Sequence, residues 1–183
     1  MALGVPVDVS DPLAAALTAL RADHGGLRFT APEDWHLTLA FCGELGDAQL
    51  EPLTTVVEEA VAASPLPDRL RLTGGGRFGR AVLWAGVTDE PAGRVAALGA
   101  RIQTGCEDAG LPVQRRAVRP HVTLARARRG AAVTAGAVAE VTAATDALTA
   151  AGREHWSPPS VEVWSSHLGD GPARYEVDAA VSG

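Results

Sequence analysis

The sequence predicts an α+β fold: two similar lobes, each an antiparallel sheet flanked by helices, packed around a central cleft with pseudo-twofold symmetry. Three observations predict it. Short runs such as 35–41 and 121–125 alternate apolar and polar residues with the period of a half-buried strand. Longer stretches between them repeat their apolar residues at helical spacing. The order strand, helix, loop, H-x-T-L strand, helix, strand occurs twice, and Gly25 stands 11 residues before His36 just as Gly110 stands 11 before His121. Two copies of so long a unit are too few for a solenoid and read as a duplication. At 183 residues and 46% hydrophobic composition, the chain suits one two-lobed domain spanning 1–183, able to bury roughly two-thirds of its unfolded surface.

Residues 2–9 (ALGVPVDV) alternate loosely as an opening strand. Ser10-Asp11-Pro12 supplies an N-cap with Pro in the first turn, so a helix is expected from there to about Ala22, ended by Gly25-Gly26. A loop leads to the strand WHLTLAF (35–41). Leu53, Val56, Val57, Ala60 and Val61 then form one helical stripe, with Pro52 in the first turn and Ser64-Pro65 as the stop. A short strand (69–73), a glycine-rich connection between lobes (74–79) and the strand AVLWAGV (81–87) follow. Asp89 and Pro91 introduce a third helix, whose Val95, Leu98, Ile102 and Cys106 share a face up to Gly110. HVTLA (121–125) is the next strand and 131–151 the next helix. Ser157-Pro158-Pro159 breaks it, and VEVWSSHL (161–168) and ARYEVDAAV (173–181) close the fold around a Gly-Asp-Gly turn.

The net charge of −6 argues against a protein that coats nucleic acid through a long basic face. No stretch approaches the roughly 20 apolar residues of a membrane span, and no basic residue precedes the short apolar run at the N-terminus, so a soluble, cytoplasmic protein is expected. Cys42 and Cys106 are the only cysteines. Their spacing supports neither a disulfide framework nor a cysteine-rich zinc site, and both are expected as reduced, buried thiols.

The chemistry lies in the repeated motif. In a strand, residues i and i+2 share a face, so His36 points with Thr38 and His121 with Thr123, while Leu37, Leu39, Val122 and Leu124 point to the core. Two imidazoles brought to one cleft can cleave a phosphodiester: a neutral one takes a proton from the attacking oxygen while a protonated one gives a proton to the departing oxygen. The threonine hydroxyls would donate to the non-bridging phosphate oxygens. A lone strand histidine is more often structural, but two H-x-T-L copies at matching places in a duplicated unit must be explained together. The second copy is embedded in residues 115–129, which hold six of the sixteen arginines and no acid. Beside His121 that cluster reads as a local anion site, with Arg126 the nearest candidate for forked phosphate binding. Simple alternation puts Arg126 on the opposite face from His121, so it must lie past the strand end, beyond a bulge, or outside the cleft.

Residues Trp35 to Glu44 (WHLTLAFCGE), Arg119 to Arg126 (RPHVTLAR) and the closing segment 166–177 (SHLGDGPARYEV) resemble the RNA 2′,3′-cyclic phosphodiesterases, also called 2′-5′ RNA ligases, of the two-histidine phosphoesterase superfamily. The likeness spans nearly the whole chain. It implies a bilobal α+β fold and metal-free hydrolysis of an RNA 2′,3′-cyclic phosphate to a 2′-phosphomonoester with no cofactor. In some members it also implies reversible 2′-5′ joining of tRNA halves. The resemblance further implies that His36 is the general acid for the 3′-oxygen, that His121 is the base for water, and that Thr38, Thr123 and Arg126 bind the phosphate. The chain departs from that family in its first strand, where Leu3-Gly4-Val5-Pro6 replaces the usual base-stacking aromatics. Phe29, Trp35 and Phe41 are the substitutes on offer, with core packing the competing role and the favoured one for Phe41. Expected partners are RNA ends, tRNA fragments among them, or small cyclic nucleotides, and a monomer is expected.

Two other readings stay open: a cyclic phosphodiesterase for small esters such as nucleoside 2′,3′-cyclic phosphate or ADP-ribose 1″,2″-cyclic phosphate, and a module that binds RNA ends without turnover. Gly74 to Gly79 matches G-x-G-x-x-G, but a dinucleotide fingerprint must open a helix and here a strand follows. His24, His155 and His167 lack ligand spacing for a metal. No G-x-S-x-G is present. Arg174 and Tyr175 fit an exposed end strand with no catalytic part.

Overall fold

The computed structural model describes residues 1–167 and 174–183. Its strands are β1 (Ala2–Gly4), β2 (Leu27–Phe29), β3 (His36–Thr38), β4 (Arg69–Phe78), β5 (Val82–Glu90), β6 (His121–Ala127), β7 (His155–Trp156), β8 (Ser160–His167) and β9 (Arg174–Ser182). Its helices are α1 (Val7–Ala16), α2 (Thr18–Asp23), α3 (Leu50–Ala63), α4 (Arg94–Asp108) and α5 (Ala135–Ala150). The α+β class and the antiparallel pairing are those the sequence predicts. The two expected sheets are joined edge to edge in the order β7-β4-β5-β6-β3-β1-β8-β9, with β2 also on β6. The two H-x-T-L strands are therefore neighbours rising from one floor rather than walls facing each other, because β3 and β6 pair through Leu37 and Val122.

One face of this sheet is the core. Leu3, Leu37, Leu70, Leu72, Leu83, Ala85, Val122, Leu124, Ala125 and Val161 are fully covered. On that face α5 packs across β4 and β5, α3 against β8 and β9, and α4 against α3 and β5. The alternate strand residues, His36, Thr38, Arg71, Thr73, Trp84, His121, Thr123, Glu162 and Trp164, stay partly exposed on the other face. Among the described residues no helix is long and apolar enough to cross a membrane.

Several elements differ from the sequence expectation. The first helix starts at Val7 and divides at Leu17, and Ser10 lies buried inside it, its N–H donating to the Pro6 carbonyl. Pro12 is tolerated in the second turn, where its missing N–H deprives only the Asp8 carbonyl of a partner. Asp89 performs the expected start of α4, its carboxylate accepting from the N–H groups of Gly93 and Val95. Thr134 caps α5 by accepting from Ala137 N–H. Strands β2 and β7 were not expected, since two or three paired residues carry no readable period.

The glycine-rich stretch is not a connection between lobes but the second half of β4, with a bulge between Thr73 and Gly75 where Gly74 takes φ +40°. A Cβ on Gly75 would lie 2.5 Å from the Val138 carbonyl of α5 and one on Gly76 2.1 Å from the Trp84 ring, so both glycines answer close approach. The expected Gly-Asp-Gly turn, residues 169–171, lies outside the described residues. Cys106 is buried but Cys42 only half-buried; both thiols are free, with Sγ atoms 3.9 Å apart.

Candidate active site

The pairing of Leu37 with Val122 in antiparallel register sets His36 opposite Thr123 and Thr38 opposite His121 when extended one residue each way. Each histidine thus stands beside the other copy's threonine. The imidazoles occupy a diagonal of the ladder, roughly 7–8 Å apart at the backbone, room for a tetrahedral anion between them. On the outer side each histidine is registered with a glycine: His36 with Gly4 and His121 with Gly86. Neither glycine can carry a side chain without meeting Glu162 Oε2 at 2.9 Å or the Thr73 carbonyl at 2.6 Å.

The two rings are fixed in the same way. His36 Nδ1–H donates to the Asp34 carbonyl at 2.8 Å and His121 Nδ1–H to the Arg119 carbonyl at 2.5 Å. A carbonyl only accepts, so in the neutral ring the proton sits on Nδ1 and Nε2 presents its lone pair to the open face. Burial pushes both imidazoles below their ordinary value, against the carbonyls that favour the charged form. The Arg116 and Arg126 guanidinium groups lower His121 further, and the Met1 ammonium and the charge of His121 lower His36.

Each imidazole is flanked by two aromatic rings. Trp164 and Tyr175 lie 4.9 and 5.5 Å from His36, centroid to centroid. Phe78 and Trp84 lie 4.8 and 6.1 Å from His121. Trp164 Nε1–H donates to Glu162 Oε2 at 2.9 Å, whereas the buried Trp84 Nε1–H has no partner among the described residues.

Arg126 reaches the open face through a bulge. Between Trp84↔Thr123 and Leu83↔Ala125, β6 contains one residue more than β5. Leu124 and Ala125 are consequently both buried, and Arg126, registered with Val82, returns exposed to the side of His121 and Thr123. Among the described residues no three His, Cys, Asp or Glu side chains converge as metal ligands. His24 instead pairs with Glu140 at 3.0 Å, and His155 lies near Glu154. The side chains of His167 and Arg174 lie outside the described part.

The model of the 2'-5' RNA ligase superfamily matches residues 9–169. The chain belongs to that superfamily. A relative named RNA 2',3'-cyclic phosphodiesterase, from Geobacillus stearothermophilus, is 36% identical over 104 residues, 55% of this chain but only 32% of the relative. Among solved structures, TT0787 of Thermus thermophilus superposes with a TM-score of 0.73 at 24% identity, covering 99% of this chain and 94% of that one. E. coli LigT bound to 3'-AMP gives 0.71 at 19% identity with the same coverage. These likenesses show that the superfamily fold is retained.

In this member of the superfamily the sequence reading missed the aromatic frame and the two glycines. Of the aromatics it weighed, Trp35 is core at 1% exposure, Phe29 packs partly against the core, and Phe41 is 43% exposed and so is not the core residue expected. The rings at the site come from β4, β5, β8 and β9. Tyr175, read as an end-strand residue, edges onto His36. The available signal was alternation: in VEVWSS, Trp164 takes the polar phase while the valines take the core, and a glycine inside an apolar strand such as AVLWAGV marks close approach.

Proposed function

We propose that this chain hydrolyses 2′,3′-cyclic phosphate ends of RNA to 2′-phosphomonoesters, and that with a 5′-hydroxyl attacking in place of water the same site reversibly forms 2′-5′ linkages. The carrying observation is the registered pair of H-x-T motifs, each imidazole held by its Nδ1–H with Nε2 toward the open face. His121 Nε2 takes a proton from water as its oxygen bonds to phosphorus, and His36 Nε2–H gives a proton to the 3′-oxygen as that P–O bond breaks. Arg116 and Arg126 favour a neutral His121, the state a base needs, although burial, the N-terminal ammonium and His121 lower His36 as well. Thr38, Thr123 and Arg126 carry the charge on the non-bridging oxygens. We read the chain as one two-lobed domain, active as a monomer in the cytoplasm and using no metal or other cofactor.

A second reading, turnover of small cyclic nucleotides, draws support from E. coli LigT, which has been solved with 3'-AMP, NADP+, ATP and phosphate. The test is an assay of EDTA-treated protein on a short RNA bearing a 2′,3′-cyclic end, with the product isomer identified by NMR. A 2′-phosphate is expected at an unchanged rate after EDTA, and His36→Ala or His121→Ala is expected to slow turnover by about 10²–10⁴-fold. Near-native activity of the double variant would falsify the histidine roles. Tight binding without product would leave the chain a module that holds RNA ends.

A further inference from the structure

The bulge that turns Arg126 toward the open face also sets it directly across from Arg28. In the β2·β6 ladder Leu27 pairs with Ala127, Arg28 with Arg126 and Phe29 with Ala125. Leu27 is buried and Phe29 packs against the core, so by alternation Arg28 points away from the core, and it is exposed. The row Val82–Arg126–Arg28 therefore crosses three strands on the face that carries His121 and Thr123.

Like charges directly opposite each other destabilise a ladder. Neither guanidinium has an acidic partner among the described residues, on a chain with 22 acids to 16 bases. Arg115, by contrast, is paired with Glu107 and Arg71 with Glu154. One row further along, Arg128 holds β2 alongside through its N–H to the Gly26 carbonyl and is likewise exposed and, among the described residues, without an acidic partner. Arg126 is already close enough to depress His121, so the arginine row begins at the reacting centre and leads away from it along β6.

We infer that Arg28, side by side with Arg126, binds the phosphodiester next to the reacting phosphate, so that the site takes a polynucleotide end in preference to a mononucleotide. The inference rests on the phosphodiesterase reading and goes beyond it in naming a second phosphate and the residue that holds it. A mononucleoside 2′,3′-cyclic phosphate reaches Arg126 and has nothing to offer Arg28. An oligonucleotide has one more phosphate, and two forked guanidinium groups suit it.

The test compares wild type, Arg28→Gln and Arg28→Lys on cytidine 2′,3′-cyclic phosphate and on a short oligoribonucleotide ending in the same group. In Arg28→Gln the ratio of kcat/KM, oligonucleotide over mononucleotide, is expected to fall about 5–30-fold, with Arg28→Lys intermediate. The slope of log(kcat/KM) against log[NaCl] for the oligonucleotide is expected to become shallower by about one unit. An unchanged ratio, or an equal loss on both substrates, overturns the inference. Anisotropy of a labelled 3′-phosphorylated oligonucleotide reads the same contact without turnover. If wild type cleaves neither substrate but Arg28→Gln binds that probe about 5–30-fold more weakly, the phosphodiesterase reading falls and the second phosphate site stands. If the variant binds it as wild type does, the site itself is refuted.

Discussion

A histidine that must give a proton and one that must take it need opposite protonation states at one pH, yet burial lowers both here. On the proposed roles, a basic His121 fails as pH falls below its lowered value and an acidic His36 fails as pH rises above its own, so kcat/KM should trace a bell with its maximum below about pH 6.5. Bound phosphate adds negative charge beside both rings and favours their protonated forms. The upper limb of kcat should therefore lie at higher pH than that of kcat/KM. Replacing Arg126 by Gln should move the acid limb of kcat/KM upward, and an unmoved limb would show that Arg126 does not act on His121. The histidines and threonines were legible in the sequence because a strand's period of two needs no other knowledge. The facing of Arg126 was not, because a bulge leaves no mark on the strand that contains it.

Irregularities within strands do much of the positioning at the level of elements. Bulges occur in the β4·β5, β5·β6 and β8·β9 pairs, and each changes which residues meet the open face. The first lets Gly75 N–H donate to Thr142 Oγ1 at 2.8 Å, tying α5 to the strand that carries Phe78. Gly75→Ala would force a methyl group against the Val138 carbonyl and the Val141 side chain, at 2.5 and 2.8 Å. It should cost about 1–3 kcal/mol by overpacking, read as a lower urea midpoint at unchanged m-value. A midpoint equal to wild type would mean that α5 can slide freely on the sheet. The helices were legible from their stripes and stops. The glycine-rich half of β4 read as a loop because three glycines lack the side chains on which a strand pattern depends.

For the whole molecule, the continuous sheet decides how the halves depend on each other. Strands from both halves meet at β3 and β6, and β2 from the first half is zipped onto β6 from the second, so neither half completes its floor alone. Unfolding in urea should be one transition, with far-UV circular dichroism and tryptophan fluorescence coincident. Two separated transitions would show that the lobes are independent domains. The repeated H-x-T motif was legible in the sequence, but not that its two strands are neighbours in one sheet. That depends on a pairing between residues 85 apart in the chain, Leu37 and Val122, which no local pattern records.

The four tryptophans are divided evenly by the fold. Trp35 and Trp156 are sealed in the core at 1% and 5% exposure, while Trp164 and Trp84 each lie against one of the two imidazoles. An excited indole is quenched by electron transfer to an adjacent imidazolium but much less by neutral imidazole, so the protein carries a separate optical pH indicator on each histidine. In Trp84→Phe the emission is expected to titrate with His36, and in Trp164→Phe with His121. Watching the two signals as a phosphate ligand arrives shows directly which ring gains a proton and which stays bare.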